Sequence, residues 1–282
     1  MNHLLCLGFG YTAATLAKSL DRKLWHVSGT SRSAEAVSTI TAQGFEGLVF
    51  DALDSVPASV THILSSIPPE ETGDPVVMKF AQTLKAPHRW LGYLSTTGVY
   101  GDRAGGWVDE DSALTPVSAR AERRVESEKH WQPLGAHVFR LPGIYGPGRS
   151  AFESLRAGKA KRVIKPGQIF SRIHVEDIAG VLQASMARPN PGRIYNVADD
   201  EPCPPQDVIT YAAKLLGVPP PPEIPIEEAN LSPMALSFYD ESKRVSNARM
   251  KAELDYQLRY PNYRKGLTAI FRNSPHLHAP PD

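Results

Sequence analysis

The residues best placed for chemistry stand where an apolar run, Leu4 to Leu7, breaks at Gly8-Phe9-Gly10 and resumes with helical spacing at Thr15-Leu16-Ala17. The chemistry such a turn offers is anion binding. Gly8 permits the turn, Gly10 lets backbone N–H groups approach a phosphate, and the small Ala13 allows close packing of helix on strand. The Gly-x-Gly-x-x-Ala pattern precedes a second apolar stretch, Leu24 to Gly29, by the length of one βαβ unit. It fits a dinucleotide pyrophosphate, with Gly8, Gly10, Tyr11, Thr12 and Ala13 as its contacts. The same residues would also serve an ordinary glycine-rich turn.

The end of that second stretch bears on which dinucleotide. A free ribose hydroxyl is usually met by a carboxylate about 20 residues past the glycines, but the chain here reads Gly29-Thr30-Ser31-Arg32-Ser33. The Arg32 fork and the neighbouring hydroxyls, Ser31 among them, suit a 2′-phosphate, so NADP is expected, with NAD as the alternative. The competing reading has Ser31 or Ser33 capping the next helix and Arg32 solvated. Further on, Asp51 is a candidate for the adenine amino group or, equally, a turn cap. Ser65 and Ser66 end a fourth apolar run and fall on the same side.

The elements that must position these residues alternate along the chain. Strands are expected at His3 to Leu7, Trp25 to Gly29, Glu46 to Phe50, His62 to Ser65, Trp90 to Ser95, Ala136 to Arg140 and Arg193 to Val197, with helices between most of them. Helical patterns include Val117 to Trp131 and His174 to Pro189. The alternation predicts an α/β fold, a doubly wound parallel sheet of the Rossmann type with ligands at the carboxyl ends of the strands. After Pro147 the pattern turns irregular and proline-rich, and Pro219 to Pro222 form a stiff connector. We therefore expect a dinucleotide-binding domain from residues 1–148 and 171–200, interleaved with a smaller substrate lobe from 149–170 and 201–282.

Composition narrows the partners. The 282 residues hold 31 Lys and Arg against 30 Asp and Glu, for a net charge of +1. With no dense basic block, nucleic acid and anionic membrane are not the expected partners; the cluster Arg120, Arg123 and Arg124 reads as a helix face. No run approaches the ~18 apolar residues of a membrane span, and no leader pattern is visible, so a cytoplasmic protein is expected. Cys6 and Cys203 show neither metal spacing nor a disulfide framework, and no metal is expected.

Four segments, Leu94-Ser95-Thr96-Thr97-Gly98-Val99-Tyr100-Gly101, Arg140-Leu141-Pro142-Gly143-Ile144-Tyr145-Gly146-Pro147-Gly148, Ile173-His174-Val175-Glu176-Asp177 and Tyr195-Asn196-Val197-Ala198, occur in an order that resembles the extended short-chain dehydrogenase/reductase superfamily. The likeness is to its NAD(P)-dependent epimerase/dehydratase group. With the ending Lys243 to Asn247 and Tyr260 to Arg264, it is similar to an atypical branch. The resemblance implies that Thr96, with Thr97 beside it, orients a substrate hydroxyl or carbonyl, and that Pro142 and Gly143 border the nicotinamide. It also implies homodimerisation through helices of the sheet.

The family's proton carrier, the Tyr of a Tyr-x-x-x-Lys helix, is missing from Val117 to Trp131, the helix that should carry it. With Glu128 at the family's Glu position, Arg120 replaces Tyr and Arg124 replaces Lys. Arginine holds an anion or polarises a carbonyl but does not shuttle protons. Three readings stay open: an oxidoreductase or epimerase with a recruited acid/base; hydride transfer with an arginine-stabilised oxyanion and a proton from water; or a cofactor-binding sensor or interaction protein. The substitute acids are Tyr145, best placed beyond Pro142-Gly143, then Tyr100, Glu110 and His174, whereas Asp177 is expected to stabilise its helix N-terminus. Arg149, Arg156, Lys159, Lys161, Arg162, Lys165 and Arg172 suit a phosphorylated or nucleotide-linked small-molecule substrate if they face the cleft.

Overall fold

The computed structural model describes residues 1–85 and 90–278. The first half of the chain alternates as read from sequence: β1 (Asn2–Leu7), α1 (Tyr11–Ser19), β2 (Trp25–Ser31), α2 (Ala34–Ala42), β3 (Glu46–Val49), β4 (His62–Ser65), α3 (Pro75–Leu84) and β5 (Trp90–Thr96). Then follow β6 (Trp107–Val108), α4 (Ala119–Trp131), β7 (His137–Leu141), β8 (Gly143–Tyr145), α5 (Ala151–Arg156), β9 (Arg162–Ile164), β10 (Arg172–His174), α6 (Val175–Ala187) and β11 (Ile194–Asn196). The chain ends with α7 (Pro205–Leu216), β12 (Glu223–Pro225), α8 (Pro233–Ser237), β13 (Arg244–Val245), α9 (Ala248–Leu254) and α10 (Tyr263–Arg272).

Seven strands form one sheet in the order β11-β7-β5-β4-β1-β2-β3, every neighbouring pair parallel. This is the doubly wound Rossmann arrangement expected, and its order reverses between β1 and β4, where such sheets open a crevice. β1 lies at the centre with Leu4, Leu5, Cys6 and Leu7 fully buried, which is why it reads as an unbroken apolar run rather than an alternating one. Leu4 and Cys6 pack toward α1 and α6, and Leu5 and Leu7 toward α3 on the other face.

Helix starts obey capping chemistry. Ser33, Asp74, Ser118 and Asn262 accept backbone N–H bonds at the starts of α2, α3, α4 and α10. The cap at Ser118 starts α4 two residues later than the expected Val117. α1 is different, since its N-cap Gly10 offers no side-chain bond.

Beyond the sheet, α5, α7 and α10 share a separate core built on Phe152, Tyr263, Leu267 and Ile270. β9 pairs with β12 beside it. α9 does not join this lobe: Met250 and Leu254 are buried in the core of the large sheet, against α6 and β11. The expected lobe segment 201–282 thus divides its packing between both cores, and its last four residues lie outside those described.

Candidate active site

The glycine turn is built from both ends. Gly8 has φ of +90°, where a side chain is strained, and a Cβ there would come within 2.8 Å of Ser66 Oγ. Its N–H donates to Thr30 Oγ1 at 2.9 Å, the Phe9 N–H donates to the Thr30 carbonyl at 2.9 Å, and Ser66 donates to the Gly8 carbonyl at 2.6 Å. The turn is therefore tied to the ends of β2 and β4. Gly10 has an ordinary backbone conformation, and a Cβ added to it would meet nothing within 4 Å. The open space at this uncapped helix N-terminus forms a cradle of the kind in which helix N–H groups can meet an anion. Ala13 is fully buried between helix and sheet. Gly29 serves the same turn, because a Cβ on it would strike the Phe9 ring.

From this cradle a cleft of about 1120 Å³ runs toward the small lobe. It brings together Gly10, Tyr11, Thr12, Ser66, Thr96, Thr97, Arg120, Arg124, Pro142, Gly143 and Tyr145 from the sequence reading. Gly8, Ala13 and Ser65 lie behind its wall, and Ser65 Oγ is buried without a partner among the described residues. Ser31, Arg32 and Asp51 stand outside it. Arg32 is 85% exposed beside Glu70 at 3.8 Å, Ser33 caps α2, and the Asp51 carbonyl accepts from Lys79.

Thr96 ends β5 and its Oγ1 accepts from the Gly98 N–H at 3.1 Å, which fixes the rotamer while its proton stays available. Arg120 stacks its guanidinium 5.2 Å from the centre of the Phe238 ring, at the end of α8. Arg124 donates to Tyr93 Oη at 3.0 Å and to the Leu94 carbonyl at 2.8 Å, so part of its fork is committed to the protein.

The substitute acids fare differently. Tyr145 donates to the Asn262 carbonyl at 3.4 Å and its ring sits where a Gly266 Cβ would be, at the junction with α10. Burial drives its phenol well above the ordinary tyrosine range, which makes it a poor proton donor. Tyr100 is fully buried, donating to Asn196 at 2.7 Å, and Glu110 accepts from the Asn196 N–H at 2.7 Å. Neither faces the cleft. His174 caps α6 through Nδ1, and burial lowers its imidazole to about 4. Asp177 stands in the first turn of α6, as expected, and its carboxylate also accepts from Tyr256 Oη, Arg259 N and Tyr260 N, clamping the C-terminal segment.

Two features were not read from the sequence. Beneath the cleft, Glu128 and Arg140 form an ion pair at 2.7 Å with both side chains buried, and Ser95 donates to the same carboxylate at 2.5 Å. In the cleft wall, Lys243 donates to the Gly101 carbonyl at 2.8 Å and bonds Glu241. They depend on contacts between residues 12 to 142 positions apart, though a Glu at the fourth place after Arg124 was a visible signal for the first. Of the basic residues proposed for substrate, Arg149, Lys159, Lys161 and Arg172 line the cleft.

The fold and cleft together define a Rossmann-type chain with the architecture of NAD(P)-dependent epimerases and dehydratases. No protein-family model matches the chain. It belongs to one family with a functionally unknown conserved protein from Silicibacter pomeroyi DSS, to which it is 52% identical over 97% of this chain and 99% of that one, with a TM-score of 0.93. Protein YeeZ of Escherichia coli K12 is 26% identical over 93% of this chain and 97% of its own length. A 3-diazoavenalumate denitrifying reductase from Streptomyces sp is 30% identical, but over 57% of this chain and 55% of the reductase. In fold alone, the chain is similar to UDP-glucuronic acid 4-epimerase from Bacillus cereus, solved with NAD (17% identical, 98% of this chain and 100% of that one, TM-score 0.75). The same holds for human epimerase family protein SDR39U1, solved with NADPH (17% identical, 96% and 99%, TM-score 0.74). Among the described residues no helix is long and apolar enough to cross a membrane.

Proposed function

We propose that this protein is an NADP(H)-dependent oxidoreductase acting on the carbonyl or hydroxyl of a small anionic substrate, phosphorylated or nucleotide-linked. The observation that carries the reading is the meeting, in one cleft, of the open Gly10 turn, Thr96, and Arg120 and Arg124 at the places where the resembled family keeps its tyrosine and lysine. The NAD and NADPH complexes of similarly folded proteins support the cofactor, and the Streptomyces reductase supports the reaction type.

The bound cofactor would supply or accept hydride. Gly10, Tyr11 and Thr12 with the N–H groups of α1 would hold its pyrophosphate, Arg32 its 2′-phosphate, and Pro142 and Gly143 would border its nicotinamide end. Thr96 donates a hydrogen bond from its hydroxyl to the substrate oxygen. Arg120, which can leave the Phe238 ring at small cost, sets its charge against that oxygen as it becomes anionic. Arg124 keeps the wall of β5 in place. Because a guanidinium stabilises the oxyanion without releasing a proton, the proton arrives from water in the open cleft. Arg149, Lys159, Lys161 and Arg172 hold the substrate's anionic group.

A cofactor-binding sensor is the second reading, favoured by the prior commitment of Arg124 and by the Tyr145 hydroxyl facing α10. NADPH consumption measured over a panel of aldehydes, quinones, phosphorylated aldoses and nucleotide-linked keto-sugars separates the two. Consumption on one class, falling about 10- to 100-fold in both Thr96→Ala and Arg120→Ala with NADPH affinity unchanged, is the expected result. NADPH binding without turnover on any class would favour the sensor, and a rate indifferent to both substitutions would mean the site is misplaced.

A further inference from the structure

The end of the sheet opposite the cleft carries a second cluster. β1, β2 and β3 run side by side with His3 paired to His26 and Ser28 paired to Glu46, so these four side chains share one face near the amino ends of the strands. The two imidazoles lie with ring centres 4.4 Å apart. One nitrogen from each histidine and one Glu46 oxygen all fall within 4.8 Å of one another.

At the centre of the three stands the Ser28 hydroxyl. Its Oγ is 2.6 Å from His3 Nε2, 2.5 Å from Glu46 Oε2 and 3.4 Å from His26 Nε2, while His26 Nε2 is 2.9 Å from Glu46 Oε2. A tetrahedral cation with bonds of about 2.0–2.1 Å separates its ligands by roughly 3.3 Å, so rotation of Ser28 and a small inward shift of His3 would complete the set. The outer nitrogen of His3 already lies 3.0 Å from Ser59 Oγ, the kind of partner that orients a ligating imidazole through its other N–H. Two imidazoles and one carboxylate favour a borderline transition metal over Ca²⁺ or Mg²⁺, which take oxygen ligands. The side chains of His26 and Glu46 are 41% and 48% exposed, which gives a metal ion a path in and leaves room for water as the fourth ligand.

We propose that His3, His26 and Glu46 form a Zn²⁺ site that ties β1, β2 and β3 together at the end of the sheet remote from the cleft. The chain has nine histidines, so the test must locate the ion. Untagged protein is stripped with chelator and titrated with Zn²⁺ against a chromophoric competitor, with thermal unfolding recorded in parallel. One equivalent should bind at micromolar affinity or tighter and raise the melting temperature. His26→Ala and Glu46→Gln should each weaken binding at least 10-fold, His130→Ala should not, and Ser28→Ala should bind at least as tightly. Both side chains are half-exposed, so their substitution opens no buried cavity, and a cooperative thermal unfolding transition kept by the metal-free variants would show that they remain folded. Failure of the wild type to take up Zn²⁺ would overturn the site and leave a hydrogen-bonded network. So would affinity unchanged in the His26→Ala, Glu46→Gln double variant.

Discussion

Gly8 and Gly10 differ in kind although they share a motif. Gly8 holds a positive φ against Ser66, so Gly8→Ala strains the folded backbone, whereas Gly10 sits in ordinary conformation facing open space. Thermal melts with and without NADPH should separate them. Gly8→Ala is expected to lower the melting temperature of the free protein; Gly10→Val should leave it unchanged and remove the stabilisation by NADPH. A Gly10→Val protein still stabilised by NADPH would move the cofactor elsewhere. Among the described residues Arg32 has only an exposed, 3.8 Å contact with Glu70, which holds it weakly and leaves its fork available. NADPH should therefore bind several-fold tighter than NADH by calorimetry, and Arg32→Ala should erase that preference while sparing NADH. Equal affinities in the wild type would take Arg32 out of the site.

At the scale of elements, α4 connects the cleft to the core. Its Arg120 and Arg124 line the cleft, and Glu128, one turn further, enters the core to meet Arg140 of β7 and Ser95 of β5. Arg140 in turn donates to Tyr100 Oη at 2.8 Å, so one buried network fixes helix, strand and the turn after β5. Removing the carboxylate leaves a buried guanidinium without its counter-charge, and Glu128→Ala should cost about 3–5 kcal/mol in urea denaturation. A loss below about 1 kcal/mol would show that water reaches Arg140. Central strands such as β1 and β4 were legible because strands buried on both faces read as apolar runs. The paired strands β8 with β10 and β9 with β12 were not, since three residues carry too little periodicity and their partners lie up to 61 residues away.

Across the whole molecule, the junction between the two cores stores buried ionisable groups. Burial raises the Asp199 carboxyl to about 8 from an ordinary 3.8, with Arg172 opposing the rise. The folded protein thus keeps a proton that the unfolded chain releases, so this group's contribution is full below 3.8 and is lost as pH rises toward about 8. His174 acts at the other end: its contribution is full above 6.5 and is lost as pH falls toward about 4. Unfolding free energies measured across the 3.8 to 8 window should show Asp199→Asn gaining on the wild type as pH rises. Parallel curves would mean that Asp199 ionises freely in the folded state.

The sequence by itself determined the sheet, the glycine turn and the lack of a tyrosine in α4, because each is written in neighbouring residues: apolar runs, a Gly-x-Gly spacing, and the residues of one helix. Tertiary structure decided which polar groups meet. Tyr145 follows Pro142-Gly143 in the chain, yet its hydroxyl turns to Asn262 because α10 packs there. Asp177 is the helix-start charge that the sequence suggests, but nothing local shows that it also accepts from the backbone amides of residues 259 and 260. His3, His26 and Glu46 stand about 20 residues apart with no motif between them, and only the parallel register of β1, β2 and β3 sets them side by side. Local pattern fixes the backbone's hydrogen-bonding elements, while a side chain's partner depends on which elements later pack against it.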